Sequence, residues 1–150
     1  MTTAAIGKLL DAYLSGVEAH PGFWRGTREE VDVYVFTDDT HDRMRIMAPV
    51  GELERLEPRT LEVLLQANYD RALDARYALR GREVWAVAVH PLATLAPDDF
   101  AGFIEQTVRL VKNTGTTYAS SDLLFRTPPE EDAQDEEGDG SPDAEETRDP

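Results

Sequence analysis

The chain has no cysteine, which excludes a disulfide framework and a thiol nucleophile. It has three histidines, His20, His41 and His90, and they fall in three separate stretches. No Gly-x-Ser-x-Gly, no HExxH and no glycine-rich phosphate loop occurs, and the histidines read as lying at a helix end, in a turn and at a strand end. Enzymatic chemistry is therefore not expected, and neither is a cofactor or a metal. No window approaches the length and apolarity of a membrane span, and "MTTAAIGKLLDAYLSGVEAH" lacks the charged start and long apolar run of a signal peptide. The expectation is a cytoplasmic protein with no membrane partner. A field of lysines is absent and the net charge is −15, which argues against nucleic acid. There is no internal repeat.

The chain is 150 residues long, enough for one domain, and its end differs from the rest. From Arg126 onward, "RTPPEEDAQDEEGDGSPDAEETRDP" has no aliphatic residue larger than alanine. Such a segment cannot bury enough apolar surface to offset chain entropy. Residues 127–150 carry 11 of the 30 acidic groups and one of the 15 basic groups, so about −10 of the net charge lies there. The expected organisation is an ordered domain over residues 1–125 and a disordered acidic tail over 126–150.

Several elements announce themselves by periodicity. Ile6, Leu9, Leu10, Tyr13, Leu14 and Val17 recur at three- and four-residue spacing, with Thr2 or Thr3 as N-cap and "HPG" (20–22) as stop. "FWRGTREE" reads as a weak strand. "VDVYVFT" (31–37) is a strong one, with Val31, Val33 and Val35 on one face and Tyr34 and Phe36 on the other. "DDTHD" (38–42) is a turn, and its three carboxylates and histidine read as turn chemistry in preference to a metal loop. "RMRIMA" (43–48) alternates Met44, Ile46 and Ala48 against Arg43, Arg45 and Met47.

A helix follows, with Pro58 near its start and Leu61, Leu64 and Leu65 in its apolar stripe. Asn68 falls in that stripe. A buried amide needs partners, so Asn68 is expected to be structural, capping backbone groups near Tyr69 to Asp74 from inside. The hairpin "ARYALRGREVWAVAV" sets Tyr77 and Leu79 on one face and Arg76 and Arg80 on the other, turning at Gly81-Arg82. The last helix begins at "APDDF", with Phe100, Phe103, Ile104, Val108 and Val111 as its stripe and Gly115 as its stop; "LLF" (123–125) is expected to dock on the core.

The order is α-β-β-β-α-β-β-α, an α+β single domain with an antiparallel sheet and helices on one face. One apolar stripe per helix suffices for one face only. The other keeps Tyr34, Phe36 and Trp85, beside the Arg76/Arg80 stripe with Arg43, Arg45 and Arg82, and large apolar residues on an open face imply a partner. Tyr34, Phe36, Arg76, Arg80 and Trp85 are thus the expected partner or dimer surface, and a homodimer is the expected assembly.

The stretch from "LEVLLQANYD" through "HPLATLAPDDFAGFIEQTVRLV" resembles the type III secretion chaperone-like superfamily, which includes the Tir-chaperone (CesT) family and the YbjN-like proteins. The motifs are "LLxxN" (Leu64, Leu65, Asn68) and a "PLxxL" exit (Pro91, Leu92, Leu95) before a closing amphipathic helix. The resemblance implies the same α-β-β-β-α-β-β-α fold over residues 3–125 and a homodimer that holds an extended segment of a partner polypeptide. For the YbjN-like branch it implies a sensory-transduction or stress regulator acting as an adaptor on a folded partner. The acidic tail is a departure from both.

Overall fold

The computed structural model describes residues 1–56 and 58–114. Gly115, Leu123–Phe125 and the acidic segment from 126 lie outside the described residues, as do the expectations attached to them. The order is α1 (Thr3–Tyr13), β1 (Ser15–His20), β2 (Phe23–Arg28), β3 (Val31–Asp38), β4 (Arg43–Glu52), α2 (Thr60–Asp70), β5 (Arg76–Arg80), β6 (Glu83–His90) and α3 (Pro97–Asn113), with a short 3-10 turn at Leu53–Arg55. The six strands form one antiparallel sheet in the order β1-β2-β3-β4-β6-β5. The last hairpin thus enters with its second strand against β4 and leaves β5 at the edge.

Four strands precede α2, one more than the sequence suggested. The first helix stops at Tyr13, capped by the Thr2 hydroxyl, which accepts from the Ala5 N–H at 3.2 Å. Leu14 is already extended, and Gly16 takes φ +59, a left-handed value that glycine adopts without steric cost. Leu14 then packs against β2 where a Cβ on Gly26 would meet the Leu14 Cβ at 2.9 Å, so only glycine fits there. Val17 still packs against the core, but from an irregular strand.

The core lies on one face of the sheet. Val33, Val35, Met44, Ile46 and Ala88 supply the sheet side, while Ile6 and Leu10 of α1 and Phe100, Ile104 and Val108 of α3 cover them. Burying each large side chain contributes ~1.5–3 kcal/mol relative to exposure, an upper estimate because the unfolded chain is already partly collapsed. α3 is the principal cover. It starts with Pro97 and carries Asp98 and Asp99 in its first turn, where the helix dipole favours carboxylates.

α2 sits at the margin, alongside edge strand β5, and buries little. Of the expected stripe, Leu64 is buried, but Leu61 and Leu65 are exposed, Leu65 at 69 %. The helix meets an edge and not a broad face, so only a narrow ridge is covered. Pro58 precedes α2 by two residues and is not in its first turn.

Asn68 does its work at this edge. Its side-chain nitrogen donates to the Tyr77 carbonyl at 3.0 Å, and its oxygen accepts from the Tyr77 N–H at 2.7 Å. The bonded groups belong to β5, not to the 69–74 loop. Tyr77 pairs across the ladder with Ala86, and its own N–H and C=O point outward from the sheet. One amide therefore stands in for the missing next strand and blunts an edge that would otherwise template pairing. Tyr77 itself crosses to α3, its hydroxyl donating to the Leu110 carbonyl at 2.8 Å.

Two stability predictions result. Asn68→Leu leaves two edge groups of Tyr77 unpaired and should cost about 1–3 kcal/mol, read as a lower denaturant midpoint at unchanged slope; an unchanged midpoint contradicts the clamp. Burial raises the pKa of the Tyr77 phenol above its ordinary value. A group with a raised folded pKa stabilises fully below its unfolded pKa, about 10, and loses that contribution as pH rises through the folded value. Wild type should therefore lose stability above pH ~10 more steeply than Tyr77→Phe, which lacks the ionisable group.

Candidate functional site

The face of the sheet opposite the core carries its own apolar surface. Alternation in β3 that buries Val33 and Val35 turns Tyr34 and Phe36 the other way. The antiparallel register then builds rows across the strands. Phe23, Phe36, Arg45 and Val89 lie side by side on β2, β3, β4 and β6. The next row runs Arg25, Tyr34, Met47, Val87 and Arg76, from β2 to β5. Trp85 stands between Pro49 and Ala78.

The aromatic rings on this face touch in sequence. His20 stacks on Phe23 at 5.9 Å, Phe23 meets Phe36 at 4.8 Å and Tyr34 at 6.3 Å, and Tyr34 meets Trp85 edge-on at 5.8 Å. The separations fall within or near the usual range for ring pairs. Phe23, Tyr34, Phe36 and Trp85 form the floor of an open trough of about 920 Å³. Phe36 is 40 % exposed and Val89 51 %. Among the described residues no helix covers this floor.

Arginines edge the trough. Arg43, Arg45 and Arg80 line it. Arg43 donates to the Asp42 carbonyl at 2.8 Å, while Arg45 and Arg80 have no hydrogen bond or ion pair among the described residues. Several arginines elsewhere are ion-paired: Arg25 with Asp32 and Arg109 with Glu105, at 3.4 and 2.9 Å, and Arg82 with Glu54. Asp38, also in the lining, is engaged by His41, whose ring nitrogen lies 2.6 Å from one carboxylate oxygen and whose N–H donates to the other at 3.0 Å. Those hydrogen bonds hold the Asp38 carboxyl below its ordinary pKa. The rest of the "DDTHD" turn is committed to the fold, Asp39 accepting from Thr3 and Asp42 from the Ala93 N–H.

Of the expected surface, Tyr34, Phe36, Arg80 and Trp85 come together here. Arg76 projects from the same face but folds back onto the Leu73 carbonyl and does not line the trough. Phe23, Met47 and Val89 were missed. Each lies at a strand position opposite in phase to a buried neighbour (Trp24, Ile46 and Ala88), so alternation alone could have found them. A second apolar surface was also missed: Leu61, Leu65 and Tyr69 recur every four residues along the outer side of α2, with Tyr69 63 % exposed.

The six-strand order, the edge helix and the open face can be compared with solved structures. The chain has the fold of the type III secretion chaperones. It superposes on the ExsC–ExsE complex with TM-score 0.57 and 15 % identity, over 73 % of this chain and 90 % of that one. A similar match, TM-score 0.57 and 14 % identity over 75 % and 99 % of the two chains, is to the Yersinia pestis type III secretion chaperone SycH in complex with a stable fragment of YscM2. The HopA1–SchA chaperone–effector complex matches with TM-score 0.50 and 11 % identity, over 73 % and 87 %. No protein-family model and no curated protein sequence matches the chain. At these identities the likeness establishes the fold.

The two faces should respond differently to substitution. Met44→Ala, in the core, should cost about 2–5 kcal/mol. Phe36→Ser, on the open face, should cost under about 1.5 kcal/mol, the scale of its ring contact with Phe23. Equal losses in urea unfolding would show that Phe36 is packed as tightly as the core.

Proposed function

We propose that this chain is a non-enzymatic, chaperone-like protein that holds a segment of a partner polypeptide on the open face of its sheet and works as a homodimer. The observation that carries the reading is the aromatic trough, lined by Arg45 and Arg80, that no helix among the described residues covers. An apolar floor edged by guanidinium groups that have no partner among the described residues suits an extended segment whose apolar side chains fill the floor and whose carboxylates or carbonyls meet the arginines. The solved neighbours support it, since each is a complex of two polypeptides and two of the three are chaperones with a bound partner.

The homodimer is best placed on α2. Leu61, Leu65 and Tyr69 form a narrow uncharged stripe that a second copy can meet about a two-fold axis, each stripe against the other. This leaves the trough free for the partner and gives the two uncovered surfaces different occupants. Asn68 belongs to the support for this arrangement, because its clamp fixes α2 along β5.

The reading has two separable tests. Trp85→Ala and Arg80→Glu should each abolish co-purification of the partner that wild type retains in its native cell, while leaving the unfolding midpoint nearly unchanged. Retention by both variants contradicts the trough as the binding surface. Leu65→Glu should convert a light-scattering dimer to a monomer; a wild-type protein that is already monomeric at high concentration contradicts the dimer.

A further inference from the structure

The trough has an uneven chemistry that describes what fits it. Its floor is aromatic and aliphatic, and Arg45 and Arg80, which have no hydrogen-bond or ion-pair partner among the described residues, stand on β4 and β5 with β6 between them. An apolar segment fits the floor, and carboxylates a short distance further along the chain fit the arginines. The protein's own sequence contains such a segment outside the described residues. In "SSDLLFRTPPEEDAQDEE", Leu123, Leu124 and Phe125 are the last large apolar residues, and Glu130, Glu131 and Asp132 follow after one short proline-bearing link.

The distances are compatible. Thr114, the last described residue, is held at the Tyr77 hydroxyl at 3.1 Å, beside β5, the strand that also carries Arg80. The nine steps from Thr114 to Leu123 span up to about 30 Å of extended chain. A six-stranded sheet is only about 24 Å from edge strand to edge strand. From Phe125 to Glu130 the chain reaches about 16 Å. The three strand spacings from β3, with Phe36, to β5, with Arg80, are about 14 Å.

We propose that residues Leu123–Asp132 occupy the trough of their own chain, Leu123–Phe125 on the aromatic floor and Glu130–Asp132 against Arg45 and Arg80. The contact need not be strong. A tethered segment is present at an effective concentration on the order of a millimolar, so an intrinsic affinity of ~0.1 mM keeps the trough about nine-tenths filled. A partner that uses the trough must displace it, and its apparent affinity falls about tenfold. The segment is then a built-in competitor that shields the open face until a better ligand arrives.

The proposal stands apart from the partner reading, because it is read out in the free protein. Of the two tryptophans, Trp24 is buried in the core and Trp85 lies in the trough, so acrylamide quenching reports mainly Trp85; Trp85→Phe confirms the assignment. In the full chain, replacing Leu123, Leu124 and Phe125 by serine should raise quenching of Trp85 toward that of a free indole. Neutralising the acids by E130Q, E131Q and D132N should raise it as well, and so should Arg80→Glu. A peptide copying residues 119–133, added to the serine variant, should restore the protection, and protection of wild type should persist on dilution. Equal quenching in wild type and all three variants overturns the proposal. So does protection lost on dilution, which would place a second copy's segment in the trough. A serine variant that melts earlier with Trp85 unchanged also overturns it, because the apolar residues would then be packing on the core.

Discussion

One sheet with two apolar faces and, among the described residues, helices for only one of them is the constraint behind this molecule. Val33, Val35 and Ile46 point into a core that α1 and α3 close, while Tyr34, Phe36 and Met47, one residue out of phase on the same strands, point to solvent. A strand of strict polar alternation would have left the second face wet at no cost. Here the second face exposes aromatic surface, which water disfavours, and the rings partly compensate by packing against one another across the strands. That surface is stable enough to exist uncovered and apolar enough to be covered favourably, which is the balance a reversible binding surface needs.

The edge of the sheet shows a second economy. β5 would present free backbone groups along α2's side, and Asn68 satisfies the pair at Tyr77 with one side chain. Tyr77 in turn ties β5 to the carbonyl of Leu110, and Gln106 of α3 accepts from the Asp74 and Ala75 N–H groups just before the strand. The edge strand, the edge helix and the closing helix are thus coupled by polar contacts, and α2 is left with its outer stripe of Leu61, Leu65 and Tyr69 uncovered. The asparagine faces β5 while Leu61, Leu65 and Tyr69 on the same helix stay exposed.

Much of the fold was legible because it rests on local periodicity. The strands at 31 and 43, the hairpin about Gly81-Arg82 and the long last helix follow from alternation, turn chemistry and a well-charged helix start. The first strand was hidden because Leu14 and Val17 continue the spacing of a helix that stops at Tyr13, and only Gly16 marks the change. The stripe of α2 was misassigned because spacing shows that apolar residues share a side, not whether that side meets the core or a second chain. The trough was half legible: Tyr34, Phe36 and Trp85 stood out within single strands. Alternation gives the face of Phe23 and Val89, but their place beside Phe36 and Arg45 comes from register between strands far apart in sequence, and the Arg76 guanidinium left the site for a carbonyl three residues away, which no pattern reports.

The account depends on the open face being met by polypeptide. The most direct measurement is photo-crosslinking in the native cell from a benzoylphenylalanine placed at position 36, in the centre of the trough floor. The account predicts a covalent adduct with a polypeptide segment, either a partner's or residues 123–132 of the same chain. A probe that labels no polypeptide, although the same group placed on the outer stripe of α2 reacts efficiently, would contradict it.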